Sequence, residues 1–168
     1  MASAVKLIDP SDNEFLASLE ARAKQANPFL RAMAHRPEVL KNFPAFYAAI
    51  TGPGSVSRRM KELAYLASSY TNACAFCIAS HLPGGRKAGI GDDEIRALEA
   101  GNDNPFPPEE RAVLAYAREL TKTAHAETAR EELRRHYNDE QIVEITLVIG
   151  MANLTNRFNN GLGIMPEA

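Results

Sequence analysis

The sequence lacks the features that mark disulfide-rich, membrane-spanning and nucleic-acid-binding proteins. It contains no tryptophan, only two cysteines among 168 residues, and 19 basic against 21 acidic side chains, which leaves a net charge of −2. Because nucleic-acid-binding domains usually carry a basic excess, we expect no nucleic-acid partner. The 45% hydrophobic and 24% charged residues are typical of a folded protein, and a chain of this length buries enough surface to fold without disulfides.

Long apolar runs are missing as well. The most apolar segment, residues 142–154, contains Glu144 and is shorter than the ~20 residues that a transmembrane helix needs. Residues 1–16 carry one lysine and three acidic side chains, which is not the pattern of a secretory signal. The sequence therefore predicts a cytoplasmic protein with no membrane partner. In that reducing compartment, two nearby cysteines are more often catalytic or metal-binding than structural.

Apolar residues recur with a helical period along almost the whole chain, and no stretch alternates long enough to predict a strand. Helix starts are indicated by a capping box that begins at Ser11, by Asn27 followed by Pro28, and by Pro108 ahead of two glutamates. Pro44 is expected to kink or split its helix. The sequence thus predicts a single all-α domain, residues 1–168, built as a bundle of roughly seven or eight helices. Boundaries are predicted for helices at 37–50, 57–70, 74–89, 92–100, 127–137 and 138–160.

The residues that could carry chemistry lie between positions 62 and 81. Cys74 and Cys77 form a C-x-x-C pair at a predicted helix start, which places their Cβ atoms within about 5–6 Å of each other. A modest local adjustment brings such a pair to disulfide distance. The free amides and the dipole of the helix N-terminus also stabilise a thiolate. The pair could therefore cycle between dithiol and disulfide.

A histidine and a glutamate could assist the cysteines. His81 follows Cys77 by four residues, so the two share one helical face, and an imidazole beside a thiol can take its proton. Glu62 lies one helix earlier. If the two helices form a hairpin, its carboxylate can orient His81 and pass on the proton. Helical spacing permits this arrangement of Glu62, Cys74, Cys77 and His81.

Two other interpretations of the cysteine pair remain open. The cysteines could simply be packed in the core, since cysteine is among the most frequently buried residues. Together with His81 and Glu62 they could also bind zinc in a tetrahedral site. Structural zinc sites usually contain more sulfur, and here most of the ligands would be crowded on one helix, which makes zinc the weaker alternative.

The remaining polar residues have simpler interpretations. Arg58, Arg59 and Lys61 are predicted to form a solvated helix start, and the histidines other than His81 to lie at the surface. A polar cluster interrupts the apolar pattern of the last helix. Capping, an interface and a pocket wall are its possible roles, in that order of preference. The cluster comprises Asn153, Asn156, Arg157, Asn159 and Asn160.

The spacing of glutamate, two cysteines and histidine resembles the core motif of the alkylhydroperoxidase D-like branch of the carboxymuconolactone decarboxylase family. The resemblance covers about residues 27–165. It implies an all-α fold of that type and a homo-oligomer, commonly a trimer or hexamer. The positions that carry it are Glu62, Ser69, Asn72, Cys74, Cys77 and His81, together with 107–111, 139–144 and 156–159.

The resemblance also implies a role for each site residue. Cys77 is similar to the cysteine that attacks peroxide and becomes a sulfenic acid, and Cys74 to the resolving cysteine, which also supplies a proton. His81 and Glu62 resemble the proton relay. One position departs from the pattern, because Phe76 stands where the characterised peroxidases have a histidine, and phenylalanine cannot carry a proton. The decarboxylases of the wider family lack the cysteine pair, so that activity is disfavoured.

The sequence as a whole predicts a thiol-dependent, peroxidase-like oxidoreductase. A hydroperoxide oxidises Cys77, Cys74 closes a disulfide with it, and an external dithiol or protein reductant restores the pair. This chemistry needs no haem, flavin or metal cofactor. Two alternatives stay open. One is a protein disulfide reductase or adaptor that never meets peroxide, and the other is a non-catalytic oligomeric binding module.

Overall fold

The computed structural model describes residues 3–166, and all regular secondary structure in this range is helical. One 3₁₀ turn, Pro10–Asp12, precedes nine α-helices, so the predicted all-α class is confirmed and the predicted number of helices is slightly low. The single domain over residues 1–168 stays a prediction. No helix in the described range is long and apolar enough to cross a membrane. The helices are α1 Glu14–Ala23, α2 Pro28–Met33, α3 Pro37–Thr51, α4 Arg58–Thr71, α5 Ala75–Lys87, α6 Asp92–Ala100, α7 Pro108–Thr123, α8 Glu127–Leu133 and α9 Asp139–Leu162.

Two predicted helix starts are set by the side chain that precedes the helix. The Asn27 side chain accepts a hydrogen bond from the Leu30 amide at 3.3 Å, and Pro28 is the first residue of α2. Ser57 caps α4 in the same way by accepting from the Met60 amide at 3.2 Å. Both starts are confirmed, because capping depends only on residues within one turn of each other.

The predictions for the two ends of the chain are partly wrong. The cap of α1 is Asn13, which accepts from the Leu16 amide at 2.9 Å, because Ser11 is already folded into the 3₁₀ turn. Helix α9 continues to Leu162, past the predicted end at residue 160. Gly163, with φ of 64°, adopts the left-handed conformation that ends the helix.

Pro44 is expected to kink or split α3, and of these two outcomes the split is wrong. The helix continues from residue 37 to residue 51, and the buried side chains of Leu40 and Ile50 anchor it on both sides of the proline. A proline removes one backbone hydrogen bond, and packing of this kind can offset that loss. Helix α8 differs in the other direction, since it ends at Leu133, short of the predicted residue 137.

Helix α4 forms the centre of the protein and packs against α5, α7 and α9. Residues 60–69, ten in succession, are all buried. A helix without a solvated face must satisfy its polar side chains inside the protein. Ser68 does so by donating to the Ala64 carbonyl at 2.9 Å. Glu62 is also among the buried residues, and its partners form part of the candidate site.

The basic start of α4 is not solvated as predicted, with the exception of Arg58. Lys61 is only 5% exposed, because its ammonium group pairs with Glu144 of α9 and donates to backbone carbonyls at the end of α3. Arg59 lies between two carboxylates, those of Glu94 and Glu110, at 2.6 and 2.7 Å. Both partners are remote in sequence, so helical spacing cannot show them.

The first three helices pack around a separate, smaller apolar cluster. Its buried members include Leu16, Phe29 and Leu40, whereas the main core is formed mostly by α4, α6, α7 and α9. Phe43 and Phe76 contact both clusters. These two rings therefore lie at the junction of the clusters, where the candidate active site is found.

Candidate active site

The two cysteines lie at the start of α5, as predicted. Cys74 is the cap residue, and its sulfur accepts from the Cys77 amide at 3.4 Å. The two sulfur atoms are 2.6 Å apart as free thiols, and both residues are buried. A disulfide needs about 2.0 Å between the sulfurs, so a small approach is enough to form the bond.

A tight turn positions this pair. Ala73 has φ of 49°, a left-handed conformation that is unfavourable for a residue with a Cβ atom. The amide of Cys74 donates to the Ser69 carbonyl at 2.9 Å and holds the turn closed. Because the turn is short, α4 and α5 form the predicted hairpin, and Glu62 comes to lie beside His81.

Of the two cysteines, Cys77 is the one whose ionised form is favoured. A hydrogen bond from the Cys74 thiol lowers the pKa of Cys77 to about 6, with further donation from Asn159, Asn156 and Thr155, although burial acts in the opposite direction. The Asn159 amide nitrogen lies 3.2 Å from the Cys77 sulfur. The same sulfur–sulfur hydrogen bond, together with burial, raises the pKa of Cys74. The pair therefore favours the thiolate on Cys77 and the thiol on Cys74.

Glu62 and His81 are brought together, but His81 does not bond to either sulfur. The Nδ1–H of His81 donates to Oε2 of Glu62 at 2.8 Å, and Nε2 lies 3.0 Å from the hydroxyl of Tyr47. The ring of Tyr65 stacks on the imidazole with centroids 3.5 Å apart. Arg58 contacts the other carboxylate oxygen of Glu62 at 3.3 Å. The imidazole is thus fixed at both nitrogens and on one face.

A glycine makes room for the Glu62 carboxylate. A Cβ atom at Gly84 would lie 2.6 Å from Oε1 of Glu62, which is too close for any side chain. The proline and two glycines at residues 83–85 could disturb a helix, but α5 continues through them. Gly84 therefore allows the Glu62 carboxylate to approach α5 closely, and it does not introduce a bend.

A pocket of about 370 Å³ opens above Cys77. Cys74 is not part of its wall. Phe76, in the position of the missing histidine, contributes an apolar ring whose centroid lies 6.5 Å from that of Phe29. The pocket is mostly apolar and aromatic, with a few polar groups around the thiol. Its lining comprises Leu19, Ala23, Asn27, Phe29, Leu30, Phe43, Pro44, Tyr47, Tyr65, Phe76, Cys77, Ser80, His81, Thr155 and Asn159.

The polar cluster of α9 is divided between two of its predicted roles. Arg157 and Asn160 are exposed and donate to carbonyl groups at the ends of α7 and α4, as expected for capping, whereas Asn156 and Asn159 are buried. Asn156 donates to the Ser69 hydroxyl at 3.1 Å and accepts from Asn72 at 2.9 Å, which joins α9 to α4. Asn159 is 1% exposed and borders the pocket. Within the described residues, its Oδ1 atom has no hydrogen-bond partner. In the sequence, the α9 wall of the pocket is indicated by polar side chains on an otherwise apolar helix.

Tyr47 is the site residue that the sequence does not reveal. It lies on α3, one turn after Pro44, and no motif distinguishes it from the apolar residues around it. Only tertiary packing, in which α3 contacts α9 and α2, places its hydroxyl against His81 of α5. The three other histidines are exposed, as predicted. Within residues 3–166, no group of three or more His, Cys, Asp and Glu side chains is arranged to hold a metal ion.

Comparison with known proteins assigns the chain to a family. Residues 37–119 match the sequence profile of the carboxymuconolactone decarboxylase family. Over 117 residues the chain is 34% identical to YdfG, an uncharacterized protein of Bacillus subtilis, and the match covers 67% of this chain and 80% of YdfG. The chain belongs to the carboxymuconolactone decarboxylase family. Its cysteine pair and its structural relatives place it in the alkylhydroperoxidase D-like branch.

Two solved structures show how far the likeness within this family extends. A protein of unknown function from Agrobacterium tumefaciens, proposed to be the antioxidant defence protein AhpD, is 31% identical with a TM-score of 0.72, covering 80% of this chain and 95% of that one. The debrominase Bmp8, solved with 2,3,4-tribromopyrrole, has a TM-score of 0.83 at 20% identity and covers 100% and 94% of the two chains. At that identity only the fold is shared, and a fold does not decide a reaction.

Proposed function

We propose that this protein is a thiol peroxidase that reduces hydroperoxides through Cys77 and Cys74. The observation that carries the proposal is that Cys77 lines an apolar pocket, with the sulfur of Cys74 only 2.6 Å from its own. A thiolate is the form that attacks peroxide, and a second thiol within bonding distance resolves the product. The roles predicted for both cysteines fit this geometry.

The reaction proceeds in two steps in which atoms and charge balance. The Cys77 thiolate attacks the distal oxygen of the hydroperoxide, the oxygen–oxygen bond breaks, and the departing alkoxide takes up a proton to leave as an alcohol. The Cys74 thiol then condenses with the Cys77 sulfenic acid, giving a disulfide and water. An external dithiol or protein reductant returns the pair to two thiols by thiol–disulfide exchange.

Burial of the thiols favours a small oxidant over a protein disulfide. Cys77 is 3% exposed and Cys74 is fully buried, so an attacking group must enter through the pocket. A hydroperoxide fits the cavity of about 370 Å³ that Cys77 lines, whereas a protein partner, whether a disulfide substrate or the reductant, can reach the cysteines only by inserting a segment into that cavity. This is the reason to prefer peroxidase activity over the disulfide reductase or adaptor that the sequence also allows.

Titration of the reduced protein with peroxide tests the function directly. We expect one equivalent of hydrogen peroxide or of cumene hydroperoxide to consume both thiols, and dithiothreitol to restore them. Free thiols are counted after each addition, and the product is examined by mass spectrometry for one intramolecular cross-link. Thiols that persist with both peroxides, but disappear with glutathione disulfide, would contradict the proposal and support the reductase.

We also propose that the chain forms a homo-oligomer through an apolar face on α3 and α9. Val39, Phe46 and Leu154 are 47–56% exposed and border one groove, and Val143 and Leu147 extend the exposed stripe along α9. Exposed apolar patches of this kind mark association surfaces. A trimer or hexamer, as in the rest of the branch, would cover this face.

Placing one charge on this face is expected to dissociate the oligomer. Phe46→Glu would bury a carboxylate without a partner in the interface, which is strongly unfavourable. Phe15→Glu is the matched control, since Phe15 is also an exposed phenylalanine but lies on α1. Light scattering should give a trimer or hexamer for the wild type and the control, and a smaller species for Phe46→Glu. A monomeric wild-type protein would exclude the proposed assembly.

A further inference from the structure

A proton donor is required where the leaving alkoxide forms, and the known thiols do not supply one there. In a displacement at oxygen, the leaving group departs on the side opposite the attacking sulfur, and thus toward the pocket. The Cys74 thiol is fully buried and is not part of the pocket wall. Phe76, where a histidine would stand, has no proton to give. The donor has to be another polar group of the pocket.

Tyr47 meets this requirement by its position. Tyr47 lines the pocket together with Cys77, and its hydroxyl lies 3.0 Å from Nε2 of His81. His81 is bonded in turn to Glu62 at 2.8 Å. Glu62, His81 and Tyr47 thus form a continuous hydrogen-bonded chain from the interior to the pocket, and its final member is a hydroxyl group.

We propose that Tyr47 is the catalytic acid that protonates the leaving alkoxide, with His81 and Glu62 renewing its proton. The proposal rests on the peroxidase function proposed above. The Cys77 sulfur bonds to the distal oxygen, the oxygen–oxygen bond breaks, and the Tyr47 hydroxyl gives its proton to the departing oxygen. Nε2–H of the protonated His81 passes its own proton to Tyr47. The products are the Cys77 sulfenic acid, an alcohol and neutral His81.

The hydrogen-bond directions are consistent with this transfer. Because Nδ1 of His81 donates to a carboxylate, Nε2 accepts from Tyr47 when the imidazole is neutral and donates to it when the imidazole is protonated. In the protonated state the Tyr47 hydroxyl is released to point into the pocket. Burial and the negative charge of Glu62 raise the pKa of Tyr47 to about 12, so the phenol retains its proton near neutral pH.

The leaving group distinguishes a proton donor from a structural residue. An alkyl hydroperoxide releases a strongly basic alkoxide, peracetic acid releases a weakly basic acetate, and iodoacetamide releases iodide, which needs no proton. The three reagents report on the same thiolate but differ in their need for an acid. Tyr47→Phe removes only the hydroxyl and keeps the ring in the pocket wall.

We expect Tyr47→Phe to slow the reaction with tert-butyl hydroperoxide by about 10²-fold or more, the usual contribution of a general acid. The rates with peracetic acid and iodoacetamide should change little. Tyr116→Phe is the matched control, because its hydroxyl makes a hydrogen bond of the same 3.0 Å length to Thr146 outside this site. The rates are measured as loss of the Cys77 thiol by stopped flow, with the melting temperature of each variant recorded.

The outcomes separate this proposal from the function on which it rests. If Tyr47→Phe lowers the reaction rate equally with all three reagents, or with none of them, the proposed role of Tyr47 is wrong. Neither result contradicts the peroxidase function. A wild-type protein that reacts with iodoacetamide but with neither peroxide would overturn the peroxidase function, and the role of Tyr47 with it. If Tyr47→Phe lowers the reaction rate with the alkyl hydroperoxide alone, Tyr47 is established as the acid.

Discussion

Cys77→Ser is expected to lower the rate of peroxide consumption by about 10³-fold or more, as removal of a nucleophile does in other enzymes. A serine hydroxyl is not ionised near neutral pH, so the variant has no anionic nucleophile at the base of the pocket. Cys74→Ser, in contrast, is expected to react with one equivalent of peroxide and then stop. Its Cys77 thiolate is intact, but the resulting sulfenic acid has no thiol to condense with.

The two serine variants act as controls for each other. Both change one sulfur to oxygen in the same turn, so a general loss of structure would affect them alike. The sulfenic acid of Cys74→Ser is trapped with dimedone and located by peptide mass spectrometry. Peroxide consumption is measured without added thiol, because dithiothreitol would itself reduce the sulfenic acid. A stable sulfenic acid on Cys74 in the Cys77→Ser variant, at the wild-type rate, would reverse the two assigned roles.

Local chemistry predicts most of the helical framework, and long-range packing accounts for what it misses. Asn27 and Ser57 mark helix starts because a cap and its amide partners lie within one turn. Lys61 shows the limit of such reasoning. By its position near the start of α4 it is expected in solvent, but it is buried because Glu144 approaches from α9. No helical pattern indicates that a carboxylate so distant in sequence will meet it.

The candidate site also has one part that the local sequence predicts and another part that depends on long-range packing. Glu62 and His81 are predictable neighbours, because a short turn joins their two helices into a hairpin. The rest of the pocket comes from α1, α2, α3 and α9. Tyr47 has no recognisable motif, and Asn159 is noticeable only as a polar residue on an apolar helix. Their approach to Cys77 depends on how the first three helices pack against the hairpin, which helical period alone does not determine.

The hydrogen-bond partners of His81 also change the path that the proton is expected to take. Spacing on one helical face suggests that His81 takes the proton from Cys77 directly. In the structure both nitrogens of His81 are bonded to other groups, so the hydrogen bonds that stabilise the thiolate come from Cys74 and from residues of α9. The low pKa of Cys77 is therefore a property of its hydrogen-bond donors, and it can be tested by removing the largest of them.

Cys74→Ala is expected to raise the pKa of Cys77, whereas Cys74→Ser is expected to leave it near the wild-type value. The alanine removes the hydrogen bond that contributes most to the lowered pKa, and the serine hydroxyl can still donate to the thiolate. If the pKa moved from about 6 to the ordinary thiol value of about 8.5, the thiolate fraction at pH 7 would fall about 30-fold. In the alanine variant Asn159, Asn156 and Thr155 still lower the pKa while burial raises it, so about 30-fold is the scale of the expected decrease.

The direction of the pH dependence follows from the lowered pKa. Because only the thiolate reacts with iodoacetamide, the wild-type rate should rise as the pH increases through about 6 and reach a plateau near neutral pH. The Cys74→Ser curve should coincide with it, and the Cys74→Ala curve should be displaced to higher pH with the same plateau. The rate of Cys77 alkylation, measured by mass spectrometry from about pH 5 to 9, covers both midpoints. Alanine and serine curves that both coincide with the wild-type curve would show that the sulfur–sulfur hydrogen bond does not set the charge of Cys77, and would leave the amide of Asn159 as the principal donor.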